Sequence, residues 1–245
     1  MHVEFSHNKA IIKWKPKDGE AKLQRSEAPH DGFEEVDTID LSTGEYIDDL
    51  PVDDMLYYYY KIGDKLAYIN DVPNGYAKEI IRRDKWFLDK ERYSGGNKAI
   101  IFMRRVGNTE NCPVCYDEIK QKVVRTNCPE CNGSGVLNAF YRPLEIPIDM
   151  RPSRRTRALR FEKISPKTYQ NSFWTTNIPL IKPDDIIVFQ ANRYRVSNDI
   201  NYTRLGDYIT KQNVPIEVIE QHQTQYRLDT SDVLKWDEFN VKREG

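Results

Sequence analysis

All four cysteines of this 245-residue chain fall within twenty positions, as Cys112-Pro-Val-Cys115 and, twelve residues later, Cys128-Pro-Glu-Cys131. Each C-x-x-C pair offers two sulfurs at a fixed separation, and two such pairs across a short loop make a tetrahedral thiolate site. Zinc suits four thiolates best and needs no redox chemistry, so one structural Zn2+ per chain is expected; two reducible disulfides or an iron centre are the alternatives. Gly133 and Gly135 follow the second pair, where flexible backbone can wrap close to a metal. Four thiolates leave no open position for a reacting water. No His-Glu-x-x-His occurs, and His2, His7, His30 and His222 all lie far from the cysteines, His2-Val-Glu4 over a hundred residues away. The metal is therefore expected to staple a ribbon at residues 108–136 whose Asn108–Asn132 excursion has few apolar residues of its own.

The rest of the chain has the material for a packed core. It is 39% hydrophobic and 31% charged, with a mean hydropathy of −0.73. That is polar, but 15 Tyr, 9 Phe and 4 Trp argue against a disordered chain. No apolar run approaches the ~20 residues of a membrane span, and the first twenty residues intersperse Lys among Ile and Trp, unlike a secretory leader. A soluble protein made in the cytoplasm, with no membrane partner, is the expectation.

A formal charge of −1 hides a strong division along the chain. Residues 1–75 carry 8 Lys/Arg against 16 Asp/Glu, residues 76–170 carry 20 against 11, and residues 171–245 carry 9 against 11. Such asymmetry suits a nucleic-acid surface or the complementary faces of a self-assembling ring; unevenly distributed solvated faces are the plain alternative.

Residues 1–72 read as a β-sandwich. Strands are expected at Lys9–Trp14, Ala21–Arg25, Phe33–Ile39, Glu45–Leu50, Leu56–Ile62 and Lys65–Val72, with turns at Lys15–Gly19, Pro29–Gly32 and Ser42–Gly44. Strand alternation would turn Tyr58, Tyr60 and Ile62 inward and leave Tyr57 and Tyr59 coating the outer face. Trp14 is the expected anchor of the sandwich core. Ile12-Lys-Trp14, Leu23-Gln-Arg-Ser26, Gly32-Phe33 and Leu50-Pro51 before the tyrosine strand resemble a compact fibronectin type III domain.

After Pro73-Asn-Gly75 the pattern changes. Ala77, Ile80, Ile81 and Leu88 recur at helical spacing through Tyr76–Arg92, and Gly95-Gly96 ends the segment. Lys98–Met103 reads as a buried strand entering the cysteine region. Further strands are expected at Val136–Tyr141, Leu144–Ile148, Ile186–Gln190, Arg193–Val196 and Ile216–Ile219, with Ala191-Asn192 turning one hairpin. Residues 73–245 thus read as a β-rich assembly domain with one amphipathic helix, and the whole chain as mainly β with minor α.

Arg151, Arg154, Arg155, Arg157 and Arg160 crowd into ten residues. They could clamp phosphates beside a zinc ribbon, pair with carboxylates across a subunit interface, or coat a solvated loop. No recognition helix follows the cysteine pairs, which weakens base readout. A phosphate-binding glycine loop, a nucleophile elbow and a dinucleotide fingerprint are all missing. Asp53-Asp54 and Asp184-Asp185 sit at turns, where Asp is common for conformational reasons. No catalytic residue is expected and the chain does not read as an enzyme. A zinc-ribbon nucleic-acid-binding protein using the arginine run is the alternative function.

The order of parts carries a second resemblance. A helix, a strand, Cys112-Pro-Val-Cys115-Tyr-Asp117, a basic loop and Cys128-Pro-Glu-Cys131-Asn-Gly133-Ser-Gly135 lead to Phe140-Tyr141. Asn177-Ile-Pro-Leu-Ile-Lys-Pro183-Asp-Asp-Ile-Ile-Val188, Arg193-Tyr-Arg-Val196 and Tyr226-Arg-Leu228 follow. Over about residues 76–230 this resembles virion structural proteins of tailed bacteriophages, in particular neck or head–tail connector components of contractile-tailed phages. The resemblance implies a virion location after synthesis in the host cytoplasm and a homo-oligomeric ring. It also implies contacts with portal, neck and tail proteins and with packaged DNA.

Overall fold

A computed structural model describes residues 1–6, 9–49, 58–68, 75–90, 97–105, 110–125, 127–150, 171–206 and 208–238. The chain is mainly β with one long helix, and its strands divide into two units that share no sheet.

Among the described residues the first unit has seven strands: β1 (His2–Ser6), β2 (Lys9–Lys13), β3 (Glu20–Ser26), β4 (Glu34–Asp40), β5 (Glu45–Asp48), β6 (Tyr59–Ile62) and β7 (Lys65–Tyr68). They form two antiparallel sheets, ordered β1-β2-β5 and β4-β3-β6-β7. Period-two alternation sends Val3, Ala10 and Ile12 of one sheet against Leu23, Ile39, Tyr60 and Ala67 of the other. β1 has no counterpart among the strands expected from sequence, because its apolar content is thin and its pairing with β2 supplies the order. Trp14 is half-buried at the rim of this core and donates its indole N–H to Leu41 O at 2.9 Å, so it closes an edge and does not anchor the centre.

The tyrosine strand departs from its expected alternation. Tyr60 points into the sandwich and donates to Asp48 Oδ2 at 2.9 Å. Tyr59, on the opposite face, is equally buried, because the second unit covers that face. Tyr57 lies outside the described residues.

The second unit contains helix α1 (Tyr76–Asp89) and strands β8 (Lys98–Phe102), β9 (Tyr116–Asp117), β10 (Lys122–Val123), β11 (Leu144–Pro147), β12 (Asn171–Thr176), β13 (Ile186–Phe189), β14 (Asn192–Val196), β15 (Asn201–Leu205) and β16 (Tyr208–Val218). Apart from the small β9–β10 hairpin, the strands make one sheet ordered β11-β8-β13-β14-β16-β12, with β15 beside β16. Asp149, just past β11, exchanges two backbone hydrogen bonds of 3.0 Å with Trp174 of β12, bringing the two ends of the sheet together. Ala99, Ile101, Leu144, Ile146, Phe173, Ile187, Val196, Val214 and Ile216 fill the interior. This closure is what a small barrel uses to remove its edges.

β16 contains Pro215, which argues against a central strand in sequence. Pro215 O accepts from Ser197 N, so its missing N–H faces the same side. On that side β15 pairs only as far as Asn213 and β14 begins at Ile216, so no ladder bond is lost. The expected strand at Ile216–Ile219 is thus the end of an eleven-residue one. The expected strand Val136–Tyr141 is instead two isolated bridges, Asn111 to Val136 and Arg104 to Phe140, separated by a turn with Asn138 at φ 51°. The β13–β14 turn falls on Gln190-Ala191, one residue before its expected place, with Gln190 at φ 54°.

Helix α1 buries Ala77, Ile81 and Leu88, the expected stripe, while Ile80 is half-buried; it packs over β16, β12 and β11. Among the described residues no helix is long and apolar enough to cross a membrane.

The two units share a core. Ala28, Tyr59 and Tyr68 of the sandwich belong to the same buried cluster as the barrel interior. Polar groups lock it: Tyr59 Oη accepts from Leu180 N at 2.9 Å, and Asn177 Nδ2 donates to Tyr68 Oη at 3.3 Å. Lys182 Nζ donates to Glu27 Oε2 at 2.8 Å, both side chains more than 90% buried. Gly32, at φ 67°, lies against Tyr141 so closely that a Cβ would come within 2.3 Å of the ring. Only a residue without a side chain allows that approach.

Candidate metal centre

Two knuckles bring the cysteines together. In the first, Cys115 N and Tyr116 N both turn back to Cys112 O, at 3.3 and 3.0 Å, which folds the C-x-x-C into a tight loop before β9. In the second, Gly133 N bonds Cys128 O at 3.2 Å and Ser134 N bonds Cys131 O at 3.0 Å. Asn132 and Gly133 adopt φ of 50° and 75° to make this reversal. Cys112 N donates to Gly135 O at 2.8 Å and ties one knuckle to the other; Val124 N to Cys115 O does the same for the hairpin strand.

All four side chains are buried, and their sulfurs lie within 4.8 Å of one another. Cys112 and Cys128 Sγ are 3.8 Å apart, and Cys115 and Cys131 Sγ are 3.3 Å apart. A tetrahedral ion with metal–sulfur bonds of ~2.3 Å places its sulfurs roughly 3.8 Å apart. A disulfide needs ~2.05 Å. The Cys112–Cys128 and Cys115–Cys131 separations are too long for disulfides, all four thiols are free, and four buried cysteines stand where a metal ion could bind. Burial pushes the Cys115 thiol up. For Cys131, burial acts in the same sense, but hydrogen bonds from Cys115 and from Gly135 N–H (3.3 Å to Sγ) outweigh it and hold the thiol below its usual value.

Among the described residues, only the half-buried Val123 and Leu137 add apolar packing to this cluster. The described part of the ribbon has no other core, so an ion held by these cysteines would bear directly on its folding.

Gly135 is tightly constrained beside the cysteines. It has φ 84°, and a Cβ there would lie 2.3 Å from Val123 Cγ2. Gly135→Ala is expected to weaken metal affinity roughly tenfold or more, since the left-handed backbone alone costs a side chain about 1–2 kcal/mol. Competition with a chromophoric chelator checks this; unchanged affinity would show that the knuckle relaxes without strain.

The five arginines Arg151, Arg154, Arg155, Arg157 and Arg160 lie outside the described residues. Asp53 and Asp54 do as well. The Asp184-Asp185 pair does more than shape a turn. Asp185 is fully buried; its Oδ1 accepts from Arg104 N at 2.7 Å and its Oδ2 from Lys182 N at 2.8 Å. Asp184 Oδ2 accepts from Arg104 Nη1 at 2.9 Å. The pair pins the end of β8 and the segment carrying Lys182 to the start of β13. Sequence reading passed over Glu27 and Lys182, which look like surface charges, and took Asp185 for a turn residue, because no periodicity marks a charge as buried.

Burial pushes Asp185 up to about 7, against the opposing pull of Lys182 and the two backbone donors. Its folded value exceeds the ordinary 3.8, so the native state holds an extra proton between those limits. The associated stability is full below about 4 and is lost as pH rises through about 7. Asp185→Asn removes this slope while placing an amide N–H against a backbone donor. Urea midpoints from pH 5 to 8 should show the wild type's advantage over Asp185→Asn shrinking as pH rises; a constant difference would mean Asp185 is ionised throughout.

Family models, curated proteins and solved structures were all compared with this chain, and none matches it.

Proposed function

We propose that the chain is a non-enzymatic structural protein that holds one zinc ion on Cys112, Cys115, Cys128 and Cys131. We assign it the role of a ring-forming neck, or head–tail connector, subunit of a contractile-tailed phage. Zinc follows from the donor set: four thiolates in a closed shell with no open position. The sandwich, with its three- and four-stranded sheets in the order β1-β2-β5 and β4-β3-β6-β7, is read as a fibronectin type III-like module.

The observation that carries the assembly reading is the fixed placement of oppositely charged surfaces. Strand β4 exposes Glu34, Glu35, Asp37 and Asp40, whereas helix α1 exposes Lys78, Arg82 and Arg83 beside Glu79 and Asp89, with Lys90 just past its end. The buried seam between the two units holds these surfaces in one rigid body. Rigid, complementary and distinct faces favour head-to-tail contacts, which close into a ring when the rotation permits. Portal-side and tail-side virion proteins would be its neighbours, and packaged DNA would pass through it.

Native mass spectrometry of the metal-loaded chain should give one closed oligomer that dissociates on Glu34→Lys/Glu35→Lys substitution. The chain should also be present in purified particles of the phage that encodes it. A monomer at every concentration, or absence from particles, would refute the reading.

A further inference from the structure

A cleft of about 550 Å3 opens where the second cysteine knuckle, the barrel rim and the C-terminal turn meet. Asn127 and Ser134 come from the knuckle, Arg104, Phe140 and Arg195 from the rim, and His222 from the turn. The size falls within the ~300–1,000 Å3 of small-ligand sites, but such sites are mostly apolar, whereas here polar groups dominate the lining. A ligand that fits must bring its own charge and hydrogen-bonding atoms.

The charges of the lining are unequal. Arg104 is matched by Asp184, and His222 Nδ1 lies 3.1 Å from Glu220. Arg195 stands opposite Glu217 across the β14–β16 pair, yet its guanidinium donates to Gln225 Oε1 at 2.5 Å, on the cleft side. Among the described residues it makes no ion pair. One guanidinium is thus held in place by an amide with most of its donor fork uncommitted, the geometry suited to a phosphate. Phe140 packs edge-to-face on Phe102 (6.2 Å, 80°), which fixes its ring at the cleft wall. A fixed aromatic ring beside amide side chains suits a nucleobase, which stacks on the ring and bonds through its edge.

We infer that this cleft binds a nucleotide unit, its phosphate on Arg195 and its base on the Phe140 wall. The unit is either a free mononucleotide or one residue of a single strand. The inference is independent of the assembly reading. One wall is the metal knuckle, so the site exists only while the metal is bound.

The test is titration of the metal-loaded full chain with fluorescein-labelled oligothymidylate of eight nucleotides, and with thymidine monophosphate by calorimetry. Arg195→Gln and Asn127→Asp, on separate elements, are each expected to weaken binding at least tenfold, and chelation of the metal to abolish it. Binding of the monophosphate assigns a free nucleotide; binding of the oligonucleotide alone assigns a strand. The inference is overturned if neither ligand binds tighter than about 1 mM, or if binding withstands both cleft variants. Unchanged urea midpoints exclude misfolding as the cause of any loss.

Discussion

Cys131→Ser, or removal of the metal by a strong chelator, is expected to unfold the ribbon while the barrel stays folded. The ribbon's buried core consists of the four cysteines themselves, with Val123 and Leu137 only partly covered. Structural zinc contributes about 10–16 kcal/mol of apparent binding free energy in small zinc-finger peptides, and nothing else here is of comparable size. Losing one of four thiolates should bring the local opening free energy of residues 110–136 close to zero. Trypsin should then cut at Lys120, Lys122 and Arg125, while the strands from β11 onward resist. The same resistance in mutant and wild type would mean that the metal is dispensable.

Lys182→Met is the second large effect. Glu27 and Lys182 are a charge pair buried between the two units, and removing one member of a buried pair costs about 3–5 kcal/mol because the other is left without compensation. The double variant Glu27→Leu/Lys182→Met should recover most of that loss, since an apolar pair of similar volume carries no desolvation cost. Urea unfolding followed by two probes, one in the sandwich and one in the barrel, checks both points. The shared core predicts coincident transitions in the wild type and separated ones in Lys182→Met. Coincident transitions with an unchanged midpoint would show that the pair does not hold the units together.

The legible parts of this fold are those whose signals are local. The C-x-x-C spacing placed all four cysteines in one cluster, and the apolar runs expected as strands at Lys9–Trp14, Lys98–Met103 and Ile186–Gln190 match β2, β8 and β13 to within one residue. The 3.6-residue recurrence of Ala77, Ile81 and Leu88 marked the helix. What could not be read depends on partners distant in sequence. Tyr59 is buried because Leu180 and the barrel reach it from 121 residues away. β12 carries the strand-favouring Phe173, Trp174, Thr175 and Thr176 but no apolar alternation, and its pairing with β16 along six residues fixes it. Gln212 is fully buried although it is an amide, because Ile181 N, Thr176 O and Pro179 O satisfy both its ends. Such burial is set by topology, and no window of sequence contains it.

The measurement that tests the central claim most directly is X-ray absorption at the zinc edge, with metal content, on the purified full chain. The account predicts one zinc per chain surrounded by four sulfurs at about 2.3 Å, with no light atom in the first shell. A nitrogen or oxygen ligand would reopen the position that a closed thiolate site denies to water. Iron in place of zinc, or sulfurs joined at ~2.05 Å, would contradict the assignment outright.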